Sequence, residues 1–244
     1  MIRVTAFSKW YDKTLAVDEL SFELPAGAVL GMVGQNGAGK TTTLRSLAGI
    51  IPPTSGTLFI NDFDVVQQPT KAKQNVAYVP DEPKLFEYLT VWEHLRFYAS
   101  AFRIADWQTK AEQLLELFEL KNKRHATASE LSRGMRQKVA ISTRFIYAPK
   151  AILFDEPHSG LDPRGIRTMK HAIQERASNG AAIVISSHLL SLIEDLCTHL
   201  LIMDKGQARF FGTMQDLKNE YPAAGDDDSL EQVFFKATET EIVD

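Results

Sequence analysis

The sequence predicts an α/β fold with a mainly parallel core sheet, a small N-terminal antiparallel β subdomain and an inserted α-helical subdomain. Short, continuous apolar runs recur at residues 28–33, 57–60, 76–79, 151–154, 182–185 and 200–203, and strands buried on both faces of a parallel sheet produce such runs. Helical stretches separate them, as the crossover connections of parallel strands require. Residues 2–7 and 20–24 instead alternate apolar with polar, the pattern of half-buried antiparallel strands, and predict the small flanking sheet.

Taken in order, the strand at residues 28–33 runs directly into Gly34-Gln35-Asn36-Gly37-Ala38-Gly39-Lys40-Thr41, and residues 41–49 read as the helix that leaves it. This is G-x-x-x-x-G-K-[ST] in the setting that makes it a phosphate-binding P-loop. Glycine permits backbone conformations barred to other residues, so successive N–H groups can turn inward around phosphates. Lys40 is suited to reach the β- and γ-phosphates and the Thr41 hydroxyl to hold Mg²⁺. Gly34, Asn36, Gly37, Ala38, Gly39 and Thr42 complete the expected nucleotide-binding set. A glycine-rich turn that merely precedes a helix is the rival reading, and both flanks argue against it.

Between about residues 89 and 148 the strand pattern lapses, while residues 91–98 and 111–120 show helical spacing, which predicts the helical insertion. Within it, Ser132 reads as the N-cap of a helix running through residue 145. The exposed N–H groups of such a helix start attract a phosphate anion, although a cap can also bind nothing. The run at 151–154 ends in Asp155 and Glu156, two carboxylates at the carboxyl end of a buried strand, where open α/β sheets keep their ligands. Asp155 suits the Mg²⁺ shell and Glu156 suits a general base that polarises water for attack on a γ-phosphate. The plainer alternative is a helix cap. His188 follows the strand at 182–186, where a histidine can hydrogen-bond a γ-phosphate, although a lone histidine after a strand is more often polar filler. The main domain is expected over residues 1–222, followed at 223–244 by an acidic tail with a short helix at 230–237.

Composition narrows the classes further. With 44% hydrophobic and 24% charged residues, the chain reads as a soluble globular protein. No apolar run approaches the roughly 20 residues needed to span a bilayer, so the chain is not expected to form a channel. The start lacks the apolar core of a secretion signal, and a cytoplasmic location is expected. A net charge of −4 argues against nucleic acid as a partner. Cys197 is the only cysteine, which excludes an internal disulfide and a Cys-based zinc site. The six histidines show no metal-ligand spacing, and no structural metal is expected.

With Pro157-His158-Ser159-Gly160-Leu161-Asp162-Pro163 after the paired carboxylates and Glu130-Leu131-Ser132-Arg133-Gly134-Met135-Arg136-Gln137 before them, the chain resembles the ATP-binding cassette (ABC) ATPase superfamily over about residues 3–213. The resemblance implies that Leu131 to Met135 form the signature loop, Asp155 and Glu156 the Walker B pair, Ser159 to Asp162 the D-loop, and His188 the switch histidine. It adds Ser132, Gly134 and Asp162 to the nucleotide site. It also places Tyr11, which matches better than Trp10, against the adenine. It implies ATP and Mg²⁺ as cofactors, hydrolysis in a dimer with a second cassette whose ATP each signature loop closes on, and a membrane-spanning permease facing residues 84–90. The chain would then lie at the cytoplasmic face of the cell membrane.

Two positions depart from the family pattern. The loop after the strand at 76–79 carries Asp81 where a glutamine is usual, and Asp81 is expected to reach Mg²⁺ through a bound water. Arg133 replaces the common signature glycine. Signatures reading Leu-Ser-x-Gly-Met resemble the exporter-type branch. Two rivals stay open at this point. One is a soluble, non-transport ABC-type ATPase acting on protein or nucleic-acid assemblies, disfavoured by the lack of a coiled-coil insertion or second tandem cassette. The other is a module that binds ATP without turnover, disfavoured by Glu156 and His188.

Overall fold

The computed structural model describes residues 1–220, so the tail and its expected helix at 230–237 lie outside the described residues. β1 (Ile2–Tyr11) and β2 (Thr14–Leu24) form a hairpin, and β3 (Val29–Val33) runs into the P-loop and α1 (Lys40–Leu47). β4 (Ser55–Ile60) and β5 (Phe63–Asp64) return to the hairpin, and α2 (Pro69–Asn75) leads into β6 (Val76–Val79). Next come α3 (Val91–Ala101), α4 (Trp107–Leu117) and α5 (Arg133–Phe145), then β7 (Ala151–Asp155), α6 (Pro163–Ser178) and β8 (Ala182–Ser186). α7 (Leu190–Leu196), β9 (His199–Asp204), β10 (Gln207–Thr213) and α8 (Met214–Glu220) complete the described chain.

The larger sheet has the order β10-β9-β3-β8-β7-β6, parallel throughout except for β10, which pairs antiparallel with β9. Strand periodicity divides its side chains between two cores. Ile152 and Phe154 of β7, Ile183 and Ile185 of β8, and Leu200 and Ile202 of β9 face the layer that contains the helical insertion. Leu153, Val184, Leu201, Leu30 and Met32 face the opposite layer, which holds α1 and the smaller sheet. Burial of alternate residues on opposite sides explains why these strands read as unbroken apolar runs.

The smaller sheet is antiparallel, in the order β2-β1-β4-β5. The run at 57–60 therefore belongs here, paired with β1, and not to the parallel sheet. The β1–β2 register shifts between Val4 and Phe7 and again around Lys9. Ala6 adopts φ 45° at the first irregularity. Ser21 Oγ accepts a hydrogen bond from the Ala6 amide at 2.8 Å, and Ser8 Oγ accepts one from the Glu19 amide at 3.0 Å. Side-chain hydroxyls thus satisfy amides that the broken ladder leaves over.

In the helical insertion, α3 starts in a capping box. Thr90 Oγ1 accepts from the Glu93 amide at 3.2 Å, and the Glu93 carboxylate accepts from the Thr90 amide at 2.8 Å. The insertion is fastened to the parallel sheet by buried aromatics. Phe118 meets Phe145 of α5, and Phe145 meets Phe154 of β7, each pair at 6.3 Å between ring centroids. Phe154 is the residue before Asp155, so this packing fixes the strand end that carries the two acids.

Candidate active site

The carboxyl ends of β3, β7 and β8 meet at one edge of the sheet, with β8 between the other two. β3 delivers the P-loop, β7 delivers Asp155 and Glu156, and β8 delivers Ser186 to the end of the same ladder, opposite Asp155. They border a cleft of about 660 Å³ lined by residues 36–42, Arg45, Tyr78, Asp81, Lys84, Asp155 and Glu156. Within the loop, Gly39 has φ +103°, and a Cβ there would lie 2.7 Å from the Ala16 carbonyl oxygen. Only glycine fits that turn without moving backbone. Lys40 is buried, and its Nζ donates to the carbonyl oxygens of Gly34 (2.6 Å) and Gln35 (3.0 Å). Burial lowers its pKa, against the opposing pull of Glu156 and Asp155.

Asp155 is 3% exposed and bonded on both oxygens. Oδ1 accepts from Ser186 Oγ at 2.7 Å and Thr41 Oγ1 at 3.1 Å, and Oδ2 accepts from the Tyr78 hydroxyl at 3.0 Å. Burial and the adjacent carboxylate push the Tyr78 phenol up to about 12, so it stays a donor. Thr41 and Asp155 thus bring two hard oxygen donors together beside the phosphate loop, a set that fits Mg²⁺, which takes oxygen ligands and keeps several waters.

Glu156 adopts φ 47°, a left-handed conformation that is strained for a glutamate. Its amide is held by the carbonyl oxygen of Ser186 at 3.1 Å, and His188 Nδ1 lies 2.9 Å from Glu156 Oε2. The His188 amide donates to the same oxygen at 3.3 Å. Burial raises the Glu156 pKa, against the lowering influence of His188 and Lys40. A carboxyl shifted upward is a better proton acceptor near neutral pH than an ordinary glutamate.

The other expected residues lie apart from the cleft. Ser132 caps α5, its Oγ accepting from the Met135 amide at 3.3 Å. Gly134 packs against the D-loop so closely that a Cβ would stand 2.3 Å from the Gly160 carbonyl oxygen. Asp162 caps α6, with Oδ1 accepting from the Gly165 amide at 2.8 Å. Tyr11 is 44% exposed and does not line the cleft, although the Lys9 ammonium lies 5.2 Å from its ring centroid. The two departures from the family pattern meet each other, since Arg133 Nη2 lies 3.2 Å from Asp81 Oδ1. Tyr78 and Ser186, which hold Asp155, were not expected from sequence; Ser186 is a polar residue ending a strand, and Tyr78 carries a hydroxyl within an otherwise aliphatic one.

A doubly wound sheet with a P-loop, a buried acid beside its threonine and a second acid paired with a histidine defines a P-loop ATPase. The family model described as "ABC transporter" matches residues 17–159. The ABC-type transporter ATP-binding protein EcsA of Bacillus subtilis is 30% identical over 236 residues, 95% of this chain and 96% of that protein. The ABC transporter ATP-binding protein NatA of the same organism is 33% identical over 205 residues, 83% of each chain. A solved ATP-binding subunit of an ABC transporter superposes with a TM-score of 0.92 at 30% identity, covering 98% of this chain and 99% of its own. The chain belongs to the ABC transporter family as an ATP-binding protein, an ATPase whose hydrolysis is coupled to transport.

Proposed function

We propose that this chain works as one of two cassettes that close on two Mg-ATP and drive a separate membrane-spanning permease from the cytoplasmic face of the cell membrane. The carrying observation is that one chain separates its two sets of nucleotide-binding residues. The P-loop, Asp155 and Glu156 share the cleft, whereas Ser132 and Gly134 lie outside it. A second cassette supplying its own signature turn completes each cleft. ATP does mechanical work only through different affinities for open and closed states, and that closure provides the difference.

In this reading Thr41 and Asp155 hold Mg²⁺, with Asp81 reaching it through water. When bound, the ion neutralises charge between the phosphates. Lys40 exchanges its loop carbonyls for phosphate oxygens. Glu156 orients and deprotonates the attacking water, and His188 holds the γ-phosphate end of the site in register with it. Tyr11 covers the adenine, and Asp162 supports the dimer-facing loop.

A permease needs a docking surface, and a groove beside the cleft supports this reading. The groove, of about 430 Å³, is lined in part by Ile50, Pro83, Leu85 and Arg144. Ile50 in this groove is about half exposed, as are Phe86 and Phe97, and Tyr88 in the 84–90 segment is 89% exposed. Among the described residues no helix is long and apolar enough to cross a membrane.

The test is affinity capture of the chain from detergent-solubilised membranes of its own cells, with mass spectrometry and hydrolysis assays on the captured complex. A polytopic membrane protein in near-equal amount, with ATP hydrolysis abolished by Glu156→Gln and ATP affinity weakened by Lys40→Ala, is the expected result. Only soluble partners, or no turnover by the wild type in the complex, would overturn it.

A further inference from the structure

His158 is used neither by the nucleotide site nor by any element cap, yet it is largely buried and aimed at the catalytic pair. Its side chain is 12% exposed, and its Nδ1 lies 3.8 Å from Glu156 Oε2, the oxygen that also lies 2.9 Å from His188 Nδ1. The two imidazole rings meet edge to face with centroids 5.0 Å apart. Ser187 Oγ steadies His158 Nδ1 at 3.5 Å. One ligand atom from each of Glu156, His158 and His188 falls within 4.8 Å of the other two.

Two imidazole nitrogens and one carboxylate oxygen form the donor set of zinc-type sites that keep a fourth position open. Metal–ligand bonds of about 2.0 Å in a tetrahedron place donor atoms about 3.3 Å apart. The two printed carboxylate–imidazole separations, 2.9 Å and 3.8 Å, bracket that value, and the two imidazole donors lie within 4.8 Å of each other. The set also discriminates between ions. Mg²⁺ prefers oxygen ligands and retains its waters, whereas borderline transition ions favour imidazole. The Lys40 ammonium, which interacts with Glu156, opposes a further cation and keeps the affinity below that of a closed structural site.

We propose that Glu156, His158 and His188 form a second metal site, for a zinc-type divalent ion, and that its occupancy stops ATP hydrolysis by tying up the base and its partner imidazole. The inhibitory consequence rests on the proposed roles of Glu156 and His188, while the binding itself does not.

The test uses the full, untagged chain in two assays. Titration with Co²⁺ alone, without nucleotide, is expected to give the visible absorption of a tetrahedral ion at one per chain, displaced by Zn²⁺. His158→Asn and His158→Gln are each expected to weaken binding by about ten-fold or more. In saturating Mg-ATP, Zn²⁺ is expected to inhibit the wild type, and both variants should keep the basal rate while needing about ten-fold more Zn²⁺. No tetrahedral absorption, or equal binding and equal inhibition in the His158 variants, would overturn the proposal. A chain that binds Co²⁺ but never hydrolyses ATP would uphold the site and refute the functional reading beneath it.

Discussion

Gly134→Ala separates assembly of the catalytic interface from nucleotide binding. The added methyl would stand 2.3 Å from the Gly160 carbonyl oxygen, and ordinary contact requires the signature turn and the D-loop to part by about 1 Å. Overpacking of this kind costs about 1–3 kcal/mol. Gly134 is the second residue of α5, so little of the helix-interior preference for alanine offsets this cost. The net loss is then about 1–3 kcal/mol, a fall of several degrees in melting temperature for a chain of this size. Catalysis is far more sensitive, because a misplacement of about 1 Å costs about 100-fold in rate. None of the P-loop contacts changes, so the affinity of the isolated chain for ATP should match the wild type. Fluorescent-nucleotide titration, thermal melting and steady-state phosphate release on the captured complex measure the three quantities. Wild-type hydrolysis by Gly134→Ala would refute the inference that this glycine contact positions the two loops.

Arg133 and Asp81 are 55% and 47% exposed, so a double-mutant cycle on Arg133→Ala and Asp81→Ala should give a coupling below about 1 kcal/mol, reduced further by salt. His94 is buried, with Nδ1 2.8 Å from the Thr90 carbonyl oxygen and Nε2 accepting from the Phe86 amide at 3.0 Å. Burial lowers its pKa, so below the ordinary histidine value of about 6.5 the unfolded chain binds a proton that the folded chain refuses. Its contribution is full above that value and declines as pH falls toward the lower folded pKa. Denaturation from pH 7.5 to 5 should show a decline that His94→Asn reduces, and an identical profile in the variant would sink this reading. Phe145→Ala removes the middle ring of the buried aromatic series and should cost about 3–5 kcal/mol by urea denaturation.

Legibility in the sequence followed distance along the chain. The P-loop was readable because its motif is contiguous in the chain, and the parallel strands because both faces are buried. The run at 57–60 misled because Phe59 on the outer face is covered by Arg3, whose guanidinium lies 4.5 Å from the ring centroid. A covered aromatic made a half-exposed strand look continuous. β10 escaped because an edge strand with Gln207, Arg209 and Thr213 lacks an apolar run. The Asp155 hydroxyl partners come from α1, β6 and β8, and Glu156, His158 and His188 converge only because β7 and β8 are neighbours. No spacing along the chain encodes those meetings.

The aromatic series from Phe118 through Phe145 to Phe154 gives α5 the mechanics of a lever with its fulcrum at the sheet. The helix has 13 residues, about 20 Å at 1.5 Å per residue, with Phe145 gripping β7 at one end and Ser132 at the other. A tilt of about 10° around that grip would sweep the signature turn through about 3.5 Å over this length, while Phe154 and the acids after it stay in place. In the proposed dimer, the strand that carries the two acids would then be the support against which the signature turn moves.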